Sequence, residues 1–359
     1  MSRSSTRRRT ASAIALTAAV TASAALLLTG CGPASSTTAT AGGTASGGAS
    51  STPSPSTAAA GGTAPGSSAS ASARSSASAP AGGAPVGAAP VSSVNGTAGN
   101  GLTISDGTDY VVMNGTRVNF GTVVRDLSWS PNGSKCAFVD GSGNLVVANP
   151  DGSGQVVVAR NPGGQVWSHP AWQVTGYDSQ YQMAAKDNIF FAASVNGVSR
   201  LETVPATAVD GTPTALPLGQ MAGLAELPQT GNAWPGTGGP QGSAVYANAG
   251  NGEVYIRDDY LRQQGMARTP GSEPALSVND EIVFVRSVSG HDHLFELAQD
   301  GSAKDLTPNA TTDYTEPAWS ANGTTIAART PAGIVTLPAD GSAAPKLVSS
   351  YAGLPAYRG

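Results

Sequence analysis

A tryptophan-bearing segment ahead of a tight turn recurs through the C-terminal part of the chain. It stands as Leu127-Ser128-Trp129-Ser130-Pro131-Asn132-Gly133, as His169-Pro170-Ala171-Trp172, and as Glu316-Pro317-Ala318-Trp319-Ser320-Ala321-Asn322-Gly323. Weaker copies are Glu273-Pro274-Ala275-Leu276-Ser277-Val278-Asn279-Asp280 and Gly223-Leu224-Ala225-Glu226-Leu227. Leu354-Pro355-Ala356-Tyr357-Arg358-Gly359 is one more start that is cut off. A repeated unit of this size cannot bury its apolar face alone, so its copies must stack. The units are strands. From Glu316 to Asp340, the runs Pro317-Ala318-Trp319, Thr325-Ile326-Ala327-Ala328 and Ile334-Val335-Thr336-Leu337 lie between Ser320-Ala321-Asn322-Gly323, Pro331-Ala332-Gly333 and Asp340-Gly341. Runs that short, bounded by Gly, Pro, Asn and Asp, form strands rather than helices.

The turn after the third strand counts the copies independently. It is Asn114-Gly115, Asp151-Gly152, Asp210-Gly211, Asp258-Asp259, Asp300-Gly301 and Asp340-Gly341, at separations of 37, 59, 48, 42 and 40 residues. Asp-Gly and Asn-Gly suit tight hairpins because the central residues need positive φ. A propeller blade takes about 40–45 residues, so the two longer gaps predict insertions, at Val174–Asp187 and at Pro228–Gly242. The domain opens with Leu102-Thr103-Ile104, Tyr110-Val111-Val112-Met113 and Val118-Asn119-Phe120, the second, third and fourth strands of a blade without its first. Leu354 to Tyr357 is a first strand with nothing after it. Joining the two ends completes a sixth blade and removes a free sheet edge. The expected fold is all-β: a six-bladed β-propeller closed by pairing of the N- and C-terminal strands, preceded by a disordered tether. Helix is expected only as a turn or two over Leu261–Ala267.

The pattern P-x-W-S-P-[ND]-G, strand, turn, strand, D-G-x, strand resembles the repeat of TolB-type β-propellers, over nearly all of residues 101–359. The copies at 127–155 and 316–348 match closely, those at 167–217 and 273–307 fairly, and that at 220–268 poorly. TolB serves a periplasmic envelope complex by binding partner proteins. The resemblance therefore implies a non-catalytic platform for a protein or ligand.

The front of the chain predicts export. Arg3, Arg7, Arg8 and Arg9 form a basic region, and Ile14 to Leu28 is an uncharged apolar run, the layout of a secretory signal. The whole uncharged stretch, Thr10 to Gly30, is also about long enough to span a membrane. Leu28-Thr29-Gly30-Cys31 resembles the bacterial lipobox, which implies a signal peptide over 1–30 and lipidation, including palmitate, at Cys31. An incidental cysteine behind a signal anchor is the competing explanation. Thr10-Ala11-Ser12 fits twin-arginine export poorly. Each buried CH₂ contributes about 0.8 kcal/mol, and stable anchoring needs more than one chain. From Gly32 to about Asn100 the chain is mostly Ala, Ser, Thr, Gly and Pro, with no aromatic residue and one charge, Arg74. Such a segment buries too little apolar surface to offset its ordering entropy. Residues 31–100 are expected to be a flexible linker, with Ser/Thr/Pro content that suits O-glycosylation. Its Thr/Ala/Gly content and the bias of Arg over Lys resemble exported lipoproteins of actinobacteria. The expected location is the extracytoplasmic side of the cell membrane, lipid-anchored, with an envelope protein or cell-wall ligand as partner.

Net charge is −4, and no basic stripe follows residue 100, which argues against nucleic acid. A monomer without cofactor or metal is expected. With Cys31 assigned to lipid, Cys136 remains alone in Lys135-Cys136-Ala137-Phe138-Val139, pointing inward as a small hydrophobe. His291-Asp292-His293 puts two histidines on one strand face, a spacing that suits a metal, but it falls at a hairpin where exposed polar residues are expected. Asp140-Gly141-Ser142-Gly143-Asn144, with Asp151, echoes a calcium loop without its required Gly and Glu; a hairpin turn explains it. Trp129, Trp172 and Trp319 recur in register and are expected to pack between blades. Trp234, within the Pro228–Gly242 insertion, is the candidate for an exposed partner contact. No Gly-x-Ser-x-Gly is present. His169, Glu273 and Glu316 precede Pro at equivalent places, near the mouth of the central channel. They are the candidates should the protein instead be an extracellular hydrolase or lyase. A cell-wall or carbohydrate-binding sensor is the third alternative.

Overall fold

The structure is a computed structural model that describes residues 93–359 except 220–225, 259–263 and 299. The signal segment, Cys31 and Arg74 lie outside the described residues, as do most of the weak copy at 223–227 and Leu261 to Gln263. Among the described residues there are 24 strands and no helix.

The strands form six antiparallel sheets of four. The first three are β1 (Leu102–Ser105), β2 (Tyr110–Met113) and β3 (Thr116–Asn119). The second blade is β4 (Arg125–Trp129), β5 (Cys136–Val139), β6 (Leu145–Ala148) and β7 (Val156–Ala159). The third is β8 (Gln165–Thr175), β9 (Lys186–Val195), β10 (Val198–Pro205) and β11 (Thr214–Ala215). The fourth is β12 (Asn232–Gly238), β13 (Ser243–Asn248), β14 (Glu253–Asp258) and β15 (Gln264–Pro270). The fifth is β16 (Ser272–Leu276), β17 (Ile282–Val288), β18 (His291–Leu297) and β19 (Ala303–Asp305). The sixth is β20 (Thr315–Trp319), β21 (Thr325–Thr330), β22 (Gly333–Pro338) and β23 (Lys346–Ser349). The last strand, β24 (Leu354–Tyr357), lies beside β1, with Leu102 opposite Tyr357 and Ser105 opposite Leu354. The innermost strands β4, β8, β12, β16, β20 and β24 contact one another in a closed ring.

Burial follows from this stacking. Strands β5 and β6 are buried at every position because another blade covers each face, which is why they are continuous apolar runs. The outermost strands β3, β11 and β19 are polar and largely exposed. Core clusters form between blades: Trp129, Cys136 and Phe138 pack on Val111, Met113 and Phe120 of the blade before. The repeated indoles join neighbouring blades. Trp129 donates to Thr103 Oγ1 at 2.9 Å, Trp172 to the Ser128 carbonyl at 3.3 Å and Trp319 to the Ala275 carbonyl at 3.1 Å. Each ring is over nine-tenths buried, so these are packing residues.

Four expectations need correction. The linker does not extend to residue 100: Asn95 bridges to Ser349, the Gly96 N–H donates to the Val348 carbonyl, and Thr97 is fully buried. Pro228–Gly242 is not an insertion, because Asn232–Gly238 is the inner strand β12. Its Thr237 takes the place of the repeated Trp and donates to the Trp172 carbonyl. The described part of Leu261–Ala267 is strand, in β15. His293 is not in an exposed turn but buried within β18, where Nδ1 pairs with Asp305 at 2.9 Å. His291, half exposed, pairs separately with Asp313 at 3.2 Å. The Asp140 turn is a hairpin: its carboxylate accepts the N–H groups of Ser142 and Asn144, both at 2.8 Å.

Candidate functional site

Each inner strand from β4 to β20 breaks register at one place. The shifts lie between Arg125 and Ser128, Ser168 and Ala171, Ala233 and Gly236, Ser272 and Ala275, and Thr315 and Ala318. The same five strands hold a non-glycine residue at positive φ inside the break: Asp126 at 55°, His169 at 52°, Trp234 at 51°, Glu273 at 48° and Glu316 at 51°. A bulge bends a strand and re-aims its side chain. Left-handed backbone costs a non-glycine residue about 1 kcal/mol or more and gathers at functional sites. Here all five line one cavity of about 390 Å³ at the centre of the propeller. It reaches to the end of β8 at Val174 and to the loops that follow the other inner strands, at Pro131, Gly239, Val278 and Ala321.

The five residues hold one another. The His169 N–H donates to Asp126 Oδ2 at 3.1 Å, and the Glu316 N–H to Glu273 Oε2 at 2.6 Å. A carboxylate in one blade thus fixes the bulge of the next. His169 Nε2 lies 3.2 Å from both Glu316 oxygens. The Trp234 indole N–H donates to Glu316 Oε1 at 3.4 Å, and its ring stands 6.1 Å from the His169 ring. His169 Nδ1 is buried without a hydrogen-bond partner.

Burial and charge drive the two glutamates apart. Burial, with the Glu316 charge beside it, pushes Glu273 up to about 7. Burial pushes Glu316 upward too, but the His169 hydrogen bond and charge, helped by the Trp234 N–H, bring it below the ordinary carboxylate value. Burial opposes a charge on His169, yet the Glu316 bond and the carboxylates of Asp126 and Glu273 raise it overall. The site therefore favours an ion pair of His169 with Glu316 and disfavours a charge on Glu273. Among the described residues no group of three His, Cys, Asp or Glu is placed to hold a metal ion.

The structure brings His169, Glu273 and Glu316 into one cavity. It adds Trp234, which is half-buried there rather than projecting from a loop, and Asp126, which sequence reasoning missed. The dipeptide signal was present: Pro follows the bulge residue as Pro170, Pro235, Pro274 and Pro317. Asp126 escaped because Leu127 stands in that place. Cys31 lies outside the described residues.

No family model matches the sequence, and no curated protein matches it. Solved structures do. A chain assigned as TolB in Agrobacterium tumefaciens matches with a TM-score of 0.50 at 16% identity, over 70% of this chain and 90% of that one. TolB of Acinetobacter baumannii matches with a TM-score of 0.48 at 14% identity, over 72% and 65%. A chain of a nidogen/laminin complex matches with 0.49 at 12%, over 72% and 97%. At these identities the first likeness shows a shared fold, the six-bladed TolB-type propeller.

Proposed function

We propose that the protein is a lipoprotein, anchored through Cys31 on the extracytoplasmic side of the membrane, whose propeller is a non-catalytic binding platform that takes its partner at the mouth of the central channel. One observation carries this reading: five side chains from five blades, each on a strained bulge, converge on one cavity open to the loops. Packing alone does not need a carboxylate, an imidazole and an indole there, since the residues three positions on, Trp129, Trp172, Thr237, Leu276 and Trp319, already join the blades. The fold shared with TolB adds support, because TolB-type proteins work by binding partners. The test captures envelope partners with wild-type protein, Cys31→Ala and Trp234→Ala. Cys31→Ala is expected to leave the membrane fraction yet keep its partner, and Trp234→Ala to lose the partner while still folding. Partner capture unaffected by Trp234→Ala together with Glu316→Gln would sink the reading.

A second reading rests on a specific observation. Two carboxyls whose environments separate their affinity for protons are the arrangement of a general acid and base, so Glu273 and Glu316 suit a hydrolase or lyase. Turnover of a polysaccharide or peptide lost in both Glu273→Gln and Glu316→Gln would favour it over the platform.

A further inference from the structure

The base of the cavity carries more negative than positive charge. Asp126, Glu273 and Glu316 line it against one imidazole. His169 pairs with Glu316 at 3.2 Å. The donors to Asp126 and Glu273 are backbone N–H groups, which satisfy a lone pair without neutralising a charge. A half-buried carboxylate held that way still offers its charge to a cation that enters the cavity. The wall above is apolar: prolines follow the bulge residues, and the Trp234 indole is half-buried at the cavity edge. An aromatic face beside carboxylates attracts a cation with an apolar stem. A cavity of about 390 Å³ is in the range of organic ligands, far larger than a bare ion requires. Arg329 also acts on the cluster, drawing Glu316 down; the positive charge that Asp126 and Glu273 feel is that of His169, which is already paired with Glu316.

We infer that the channel mouth binds an organic cation, a primary ammonium or guanidinium on an apolar stem, with its charge against Glu273 and Asp126 and its stem along Trp234. This deepens the proposed function and rests on it. The same chemistry has two sources, a Lys or Arg side chain offered by a partner protein and a small free amine.

The experiment titrates the full chain calorimetrically with three probes: cadaverine, a hexapeptide bearing one lysine, and the same peptide with norleucine. The lysine peptide should bind at least about tenfold tighter than the norleucine peptide, the equivalent of one good charge contact. Asp126→Asn with Glu273→Gln should weaken it by a similar factor. Glu273→Gln alone, which keeps an acceptor for the Glu316 N–H, should weaken it several-fold and guards against a folding defect in the double variant. Asn196→Ala, on the hairpin at the far end of β9, should change nothing. Cadaverine matching the lysine peptide assigns the free amine; binding of the peptide alone assigns a partner's side chain. Equal binding of the norleucine peptide, equal binding by the double variant, or no binding of either cationic probe at millimolar concentration overturns the inference. In that last case the platform still stands if a partner cross-links to the mouth, and falls with it if none does.

Discussion

Glu273→Gln separates the cost of a buried charge from the rest of the propeller's stability. Glu273 is pushed from an ordinary value of 4.5 up to about 7, by burial first and by Glu316 second. The folded state therefore prefers the protonated group. Its contribution is fully present below pH 4.5 and is lost as pH rises through about 7. At about 1.4 kcal/mol for each tenfold change in proton affinity, the loss is about 3 kcal/mol. His169, also raised, adds to the loss with the same sign, while Glu316, held low, acts only on the acid side. Wild-type stability should therefore peak near pH 5 and fall toward pH 8. Gln is isosteric, cannot ionise, and still accepts the Glu316 N–H. Urea unfolding of the two proteins at pH 5 and pH 8 is the assay. The variant should match wild type at pH 5 and exceed it at pH 8 by about 2–3 kcal/mol. Parallel pH profiles would refute the buried-charge account of the site.

Three further outcomes check the fold that holds the site. Cys136 is fully buried, and burial pushes its thiol up to about 12. In a Cys31→Ala background a thiol reagent at pH 8 should label the urea-unfolded chain and spare the folded one. Trp319→Ala removes a buried indole and its bond to the Ala275 carbonyl and should cost about 3–5 kcal/mol in chemical unfolding. Deleting 354–359 uncovers the fully buried Leu102 and Ile104 and removes Arg358, whose Nε donates to the Gly133 carbonyl at 2.8 Å. The thermal midpoint should drop by roughly 10 °C or more, read by circular dichroism.

Blade number was legible because the Asn-Gly and Asp-Gly turns answer a local demand for positive φ that few residues meet cheaply. The turns at Asn114, Asp151, Asp210, Asp300 and Asp340 each separate the third and fourth strands of a blade. Packing was legible where Trp129, Trp172 and Trp319 repeat, since a large side chain in fixed register implies a fixed neighbour. The fourth blade was not. In Trp234-Pro235-Gly236-Thr237 the indole sits three positions early and a threonine fills the inter-blade slot, so Gly and Pro looked like a loop. The site was half legible. His169, Glu273 and Glu316 share a slot that the proline marks, but the bulge that aims them inward belongs to strand pairing, which a linear pattern does not carry. The same bulge explains Asp126, whose neighbour is Leu127. His293 misled for another reason: its partner Asp305 comes from the next strand.

The central claim is that the partner meets the protein at the channel mouth. Photo-cross-linking in living cells tests it directly, with a photoreactive residue placed either at Ala321, exposed on the mouth rim, or at Asn196, exposed on the hairpin between β9 and β10. Those strands run antiparallel, so Asn196 lies at the end of the blade away from the rim. The account predicts a discrete cross-linked product from Ala321, abolished by Trp234→Ala, and none from Asn196. A product from Asn196 alone, or an Ala321 product indifferent to Trp234, would contradict it.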